Sequence, residues 1–264
     1  MKSKLIHTLI VIFLLITAYN NTYCLPDFIK SIIKYEKLIV NNNAIEDSLS
    51  KLINIAKNKI IKQNQYTKDE AFNVCSSIAN LLHNEGIKLI NVIDSILNDF
   101  TKAKGFLFSD CLKNKGFECN SFTLTYYAIA KELDLPLYPI LAPKHIFLEW
   151  DDGINNFFWE PEYDTLFDAS QYIKNHNITK NQIEKRIYLS KLNENQLIAN
   201  YLLVIIEHLI EIKDYKRAEK LILSSLKLDN NESTLTTYGD LNSLKGNNKK
   251  AISTINLSMI YISF

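Results

Sequence analysis

Apolar residues recur at helical spacing through residues 26–100. Ile29, Ile32, Ile33, Leu38 and Ile39 form one stripe, and Ile45, Leu49, Leu52, Ile53, Ile55 and Ala56 form a second. Thr67 followed by Asp69 and Glu70 marks a helix start, because a hydroxyl caps the first N–H groups and acids favour the positive end of the helix. That helix is expected to run to about His83 and to stop at Gly86. Another is expected from Lys88 to about Phe100. From Phe122 to Leu133 the apolar residues cover more than one face, which predicts a largely buried helix. Gly116 breaks the chain before it, and Asn120 and Ser121 are cap types at its start. A short apolar strand follows Pro136. Asp152-Gly153 then sits between apolar runs, the pattern of a hairpin turn.

If Asp152 and Gly153 are the loop, Trp150 faces Asn155, Leu148 faces Phe157 and His145 faces Glu160. Opposed side chains have Cβ atoms about 4.5–5.5 Å apart. Local sequence therefore predicts an imidazole beside a carboxylate on one sheet face. A one-residue bulge at Asn155-Asn156 would put the two on opposite faces.

Cys119 precedes the buried helix, where exposed N–H groups favour an anion, so its thiol is expected below the usual ~8.5. Taken singly, the three residues are ordinary. An isolated cysteine is usually a small buried hydrophobe, His145 could be a strand-end residue, and Glu160 could be solvated. Together they make a nucleophile, a base and an orienting acid.

The stretch Glu118-Cys119-Asn120-Ser121 resembles the nucleophile motif of the transglutaminase-like superfamily of papain-type cysteine enzymes. Leu135-Pro136, then Ala142-Pro143-Lys144-His145-Ile146-Phe147-Leu148-Glu149-Trp150, resembles its histidine segment. Trp159-Glu160-Pro161 resembles the segment bearing the third residue, where many members carry Asp. The resemblance covers roughly residues 100–260. It implies Cys119 as nucleophile, His145 as general base and acid, and Glu160 as orienting acid. It also implies a papain-like core built from a helical lobe and a small antiparallel sheet. Only the backbone N–H of Cys119 is assigned as an oxyanion donor.

Phe167 to Ile173 predicts a short helix, also similar to the family. His176 lies between two asparagines and is expected to be solvated. Further on, Lys213 to Glu219 aligns with Gly246 to Ile252, placing Ala218 and Ala251 33 residues apart. That is close to the ~34-residue tetratricopeptide period. About two units are visible, too few to bury their own faces, so they should dock on the core. A plain helical cap is the alternative. His208, in the apolar helix around Leu202 to Ile212, is expected to be satisfied or at the surface.

At the other end, Lys2 and Lys4 precede an apolar run from Leu5 to Ala18, the pattern of an export signal over residues 1–24. Cleavage after Ala18 or Cys24, lipidation at Cys24 and an uncleaved anchor all remain open. Export leaves Cys75, Cys111 and Cys119. A Cys75–Cys111 disulfide is conceivable, but a buried helix position is preferred for Cys75. A Cys111–Cys119 bridge would block the nucleophile.

The chain of 264 residues carries a formal net charge of +1, which gives no argument for nucleic acid. Its five histidines are dispersed and no cysteine pair has ligand spacing, so no metal or cofactor is expected. The expectation is thus an α+β protein in four parts. Residues 1–24 are a signal or anchor, 25–100 the helical part of the core, 101–190 the transglutaminase-like catalytic core, and 191–264 an all-α repeat appendage. The expected function is an exported, periplasmic or envelope-associated bacterial peptidase or amidase, working through Cys119, His145 and Glu160 on a protein or peptide substrate. Transfer to an amine is the related possibility. The alternatives are a binding module that holds a partner through its repeats and an envelope-anchored scaffold. Any membrane contact is confined to the N-terminal segment.

Overall fold

The computed structural model describes residues 25–40, 44–90 and 107–263. Three helices open it: α1 (Asp27–Glu36), α2 (Ala44–Lys59) and α3 (Lys68–Asn84). The expected stripes are the buried faces. Ile29, Ile32, Ile33, Ile45, Leu49, Leu52, Ile53 and Ala56 are inside, whereas Leu38 lies beyond α1 and is exposed. Thr67 caps α3 and closes a reciprocal box with Glu70, and Gly86 follows with φ +81°.

The helix expected from Lys88 begins instead as a strand, β1 (Lys88–Leu89), paired parallel to β2 (Gly116–Phe117). The β1 backbone bonds across to residues beside β2 rather than to its own next turn. Residues 91–100 of that expected helix lie outside the described residues. Between the strands is α4 (Phe108–Asn114), whose N-cap, Leu107, has no side chain able to cap it. A carboxylate from α1 does so from a distance. Glu36 is 1% exposed; it accepts from the Ser109 N–H at 3.2 Å and from the Tyr201 hydroxyl. That hydroxyl also accepts from the Phe108 N–H at 2.7 Å. A buried carboxylate is tolerated only when its oxygens are so satisfied.

The central helix α5 (Cys119–Leu133) is buried on most sides. It packs on a four-stranded antiparallel sheet in sequence order: β3 (Leu137–Ala142), β4 (His145–Asp151), β5 (Asn156–Glu160) and β6 (Thr165–Phe167). Strand alternation divides β4 between two cores. Ile146, Leu148 and Trp150 face the helical lobe, while Phe147 faces a smaller core under α6 (Ala169–His176).

The hairpin register differs from the expected one. Trp150 pairs with Phe157 and Leu148 with Trp159, so the loop has four residues, Asp152 to Asn155. Asp152 explains the extra length. Its carboxylate accepts from the N–H groups of Ile154 (2.9 Å) and Asn155 (2.6 Å), the Asn155 amide (3.0 Å) and the Trp150 indole (3.0 Å). A two-residue turn could not collect these bonds. The shift is two residues, an even number, so every side chain keeps its face.

A short helix α7 (Lys180–Glu184) leads to four longer ones: α8 (Glu194–Glu211), α9 (Tyr215–Leu228), α10 (Glu232–Leu244) and α11 (Asn248–Ser263). Each packs on the next, and α8 also packs on α1. Leu197, Tyr201, Leu202 and Ile205 of α8 join the main core, so these helices dock on the rest of the protein. Ala218 and Ala251, the paired small residues, are both buried. Architecture is α+β. Among the described residues no helix is long and apolar enough to cross a membrane. Residues 1–24 lie outside the description.

Candidate active site

The cap of α5 sits two residues before Asn120, the nearer of the expected caps. Glu118, not Asn120 or Ser121, is the N-cap; it accepts from the N–H groups of Asn120 and Ser121, and the Ser121 hydroxyl accepts in return from the Glu118 N–H. Cys119 is therefore the first helical residue. Its half-buried thiol donates to Glu118 Oε2 at 3.3 Å. The Ile146 backbone N–H points at the same sulfur. Asn120 Nδ2 lies 3.9 Å from it and donates to Glu118 Oε2 at 3.1 Å.

Ile146 follows His145, which opens β4 after the two-residue turn of Pro143 and Lys144. The imidazole and Cys119 line one cavity of about 550 Å³. His145 Nε2 is 2.7 Å from Glu160 Oε2. Glu160 is 2% exposed. It is further satisfied by the Tyr172 hydroxyl and, on Oε1, by the Glu162 N–H at 3.3 Å. Tyr172 also stacks on the imidazole, with ring centroids 5.6 Å apart. The structure therefore pairs His145 with Glu160 and sets Cys119 in the same cavity as His145, while the hydrogen bond of the thiol goes to Glu118. With the shifted register His145 and Glu160 are diagonal rather than opposed, and the glutamate's reach spans the offset.

Electrostatics reverse one expectation. Burial pushes the Cys119 thiol up, and the carboxylates of Glu118 and Glu162 push it further, well above the usual range. Helix-end placement lowers a thiol only when no anion already holds that end; here Glu118 caps it, and the Cys119 N–H faces the Glu162 carboxylate. Burial pushes His145 down, but the bond and charge of Glu160, with Glu162 and Glu118 behind it, outweigh that and raise it. Glu162 is itself raised, first by burial and then by its acidic neighbours against the pull of His145.

Sequence alone carries no signal for Tyr172, for Glu162 or for Asn200 of α8, whose amide lies 3.4 Å from Asn120 Oδ1. Tyr172 is twelve residues from Glu160 along the chain, and no local pattern links them. Among the described residues, His83 and His208 stand apart from the site, and His176 stacks on the ring of Tyr172 with centroids 6.2 Å apart. His83 is exposed and 3.0 Å from Asp164, His176 is exposed, and His208 Nδ1 is buried with no hydrogen-bond partner among the described residues. Cys75 and Cys111 are buried thiols. Burial pushes Cys111 up to about 12. Among the described residues no group of His, Cys, Asp and Glu is placed to hold a metal.

Compared with family models, curated proteins and solved structures, the chain matches none.

Proposed function

We propose that the protein is a transglutaminase-like cysteine enzyme that cleaves amide bonds in a protein or peptide. The observation that carries this reading is the shared cavity of Cys119 and His145, with the imidazole held at 2.7 Å by a buried carboxylate. Nε2 is committed to Glu160, so Nδ1 serves the thiol. The Cys119 proton passes to Nδ1 as Sγ attacks the carbonyl carbon. The C–S bond forms and the carbonyl π pair moves onto oxygen. Collapse breaks the C–N bond, and His145 returns the proton to the leaving amine. Water, deprotonated by His145, then attacks the thioester; the C–S bond breaks and the thiol is restored. An amine in place of water gives transfer. Hydrolysis is favoured because it needs no second binding site.

The raised imidazole sets the direction of the pH dependence. His145 accepts a proton only when neutral, so acylation rises as pH climbs through its raised value. The docked helices α8–α11 fit a tetratricopeptide-like appendage, supported by the burial of Ala218 and Ala251. Export by the N-terminal segment remains part of the proposal.

The surroundings of the thiol favour a second reading, a binding module without turnover: the thiol is half-buried and donates to Glu118 at 3.3 Å, and burial first, then the carboxylates of Glu118 and Glu162, push it up. A pool of synthetic peptides decides between the two. Wild type should release new amino termini and carry an acyl adduct on Cys119 by intact mass, and Cys119→Ala and His145→Ala should do neither. Equal release by wild type and Cys119→Ala would refute the enzyme.

A further inference from the structure

We infer that Asn120 supplies a side-chain oxyanion donor, and that Asn200 of α8 holds its amide in the donating orientation. This rests on the proposed chemistry and adds to it a role for the C-terminal helices.

The orientation of the Asn120 amide follows from its neighbours. Glu118 Oε2 lies 3.1 Å from one end. A carboxylate only accepts, so that end is the NH₂ group. The carbonyl Oδ1 then faces away and accepts from Asn200 Nδ2 at 3.4 Å. One hydrogen of the Asn120 NH₂ serves Glu118, and the second is left on the side of the sulfur. At 3.9 Å from Sγ, Nδ2 is too far for a strong bond to sulfur itself. It suits an acceptor on the carbon that sulfur attacks, where a donor is needed at roughly 2.7–3.1 Å.

A second donor matters here because the first is contested. The Cys119 backbone N–H faces the Glu162 carboxylate, so a substrate oxygen must compete for it. On the sulfur side Asn120 Nδ2 meets Cys119 Sγ at 3.9 Å, a long contact that a substrate oxygen can replace. Asn200 comes from eighty residues away, and with Leu203 and Val204 it forms the α8 wall of the same cavity. The C-terminal helices thereby reach the reacting centre: Asn120 is a catalytic residue and Asn200 a positioning residue.

The test compares two electrophiles on the full chain. Acylation of Cys119 by p-nitrophenyl acetate passes through an oxyanion. Alkylation by iodoacetamide displaces iodide and forms none. Asn120→Ala should slow acylation relative to alkylation by a factor approaching the roughly 10²–10³-fold that loss of one oxyanion donor costs; a change in thiolate fraction from the lost bond to Glu118 enters both rates and cancels in their ratio. Asn200→Asp keeps the shape but offers only acceptors. It should turn the Asn120 amide and also slow acylation, by up to the roughly 10²-fold that a misplaced group costs. A space-filling role would be restored by Asp. Circular dichroism checks that each variant folds. If acylation is normal in both variants, or falls in step with alkylation, the inference is overturned while the proposed chemistry stands. If wild type is not acylated, or His145→Ala is acylated equally fast, the proposed chemistry fails and takes the inference with it.

Discussion

Removing the negative charge of Glu118 should make Cys119 a stronger acid. The thiol donates to Glu118 Oε2 at 3.3 Å, so ionising it sets two anions side by side. At that separation the repulsion is roughly 1.3 kcal/mol in water and roughly 5 kcal/mol at the effective dielectric of a protein surface. At about 1.4 kcal/mol for each tenfold change in acidity, that is roughly one to four powers of ten. Cys119 is half-buried, so Glu118→Gln should bring its titration midpoint down by about two pH units. Gln keeps a carbonyl to cap Ser121 and loses the bond to the Asn120 N–H, a cost of about 1 kcal/mol. The assay is the rate of Cys119 alkylation by iodoacetamide against pH, read by peptide mass mapping. Burial of Cys75 and Cys111 slows their labelling. Below the new midpoint, labelling should be faster than in wild type by about tenfold for each pH unit the midpoint has moved, because the thiolate fraction rises in that proportion. An unchanged or higher midpoint would refute the claim that Glu118 holds the thiol neutral.

Other tests probe the groups behind the site. Glu160→Gln should lower the His145 pKa toward or below its ordinary ~6.5, read by NMR titration of the imidazole. Because His145 is raised in the folded state, its pairing adds stability that is present below pH ~6.5 and lost as pH rises through the raised value; thermal denaturation against pH should show that loss in wild type and not in Glu160→Gln. Tyr172→Phe keeps the ring stack and loses the hydroxyl bond to Glu160. Urea denaturation should show a loss of about 1.5–3 kcal/mol, the range for bonds to charged groups. Tyr201→Phe should cost a similar ~1.5–3 kcal/mol by leaving buried Glu36 and the Phe108 N–H without their shared partner. An unchanged midpoint would mean that water replaces the hydroxyl.

The chain itself determined what depends on near neighbours. Helical stripes, the Thr67–Glu70 box and the Gly86 stop are local, and they fold as written because spacing and capping act within one or two turns. The face shared by His145 and Glu160 was also local. It survived an incorrect loop length, because a two-residue shift preserves alternation while a one-residue shift would not. Asp152 decided that loop, through bonds to an indole and an amide that no turn dipeptide encodes. Tertiary structure alone decided the rest. Lys88 became a strand because Gly116 and Phe117 offered partners. Glu36 became the cap of a helix some seventy residues on. The Cys119 thiol moved up rather than down, because folding buries it and then packs the carboxylates of Glu118 and Glu162 around it. Asn200 met Asn120 across eighty residues for the same reason: docking α8 on the main core brings the two amides together, and the sequence carries no local record of that contact.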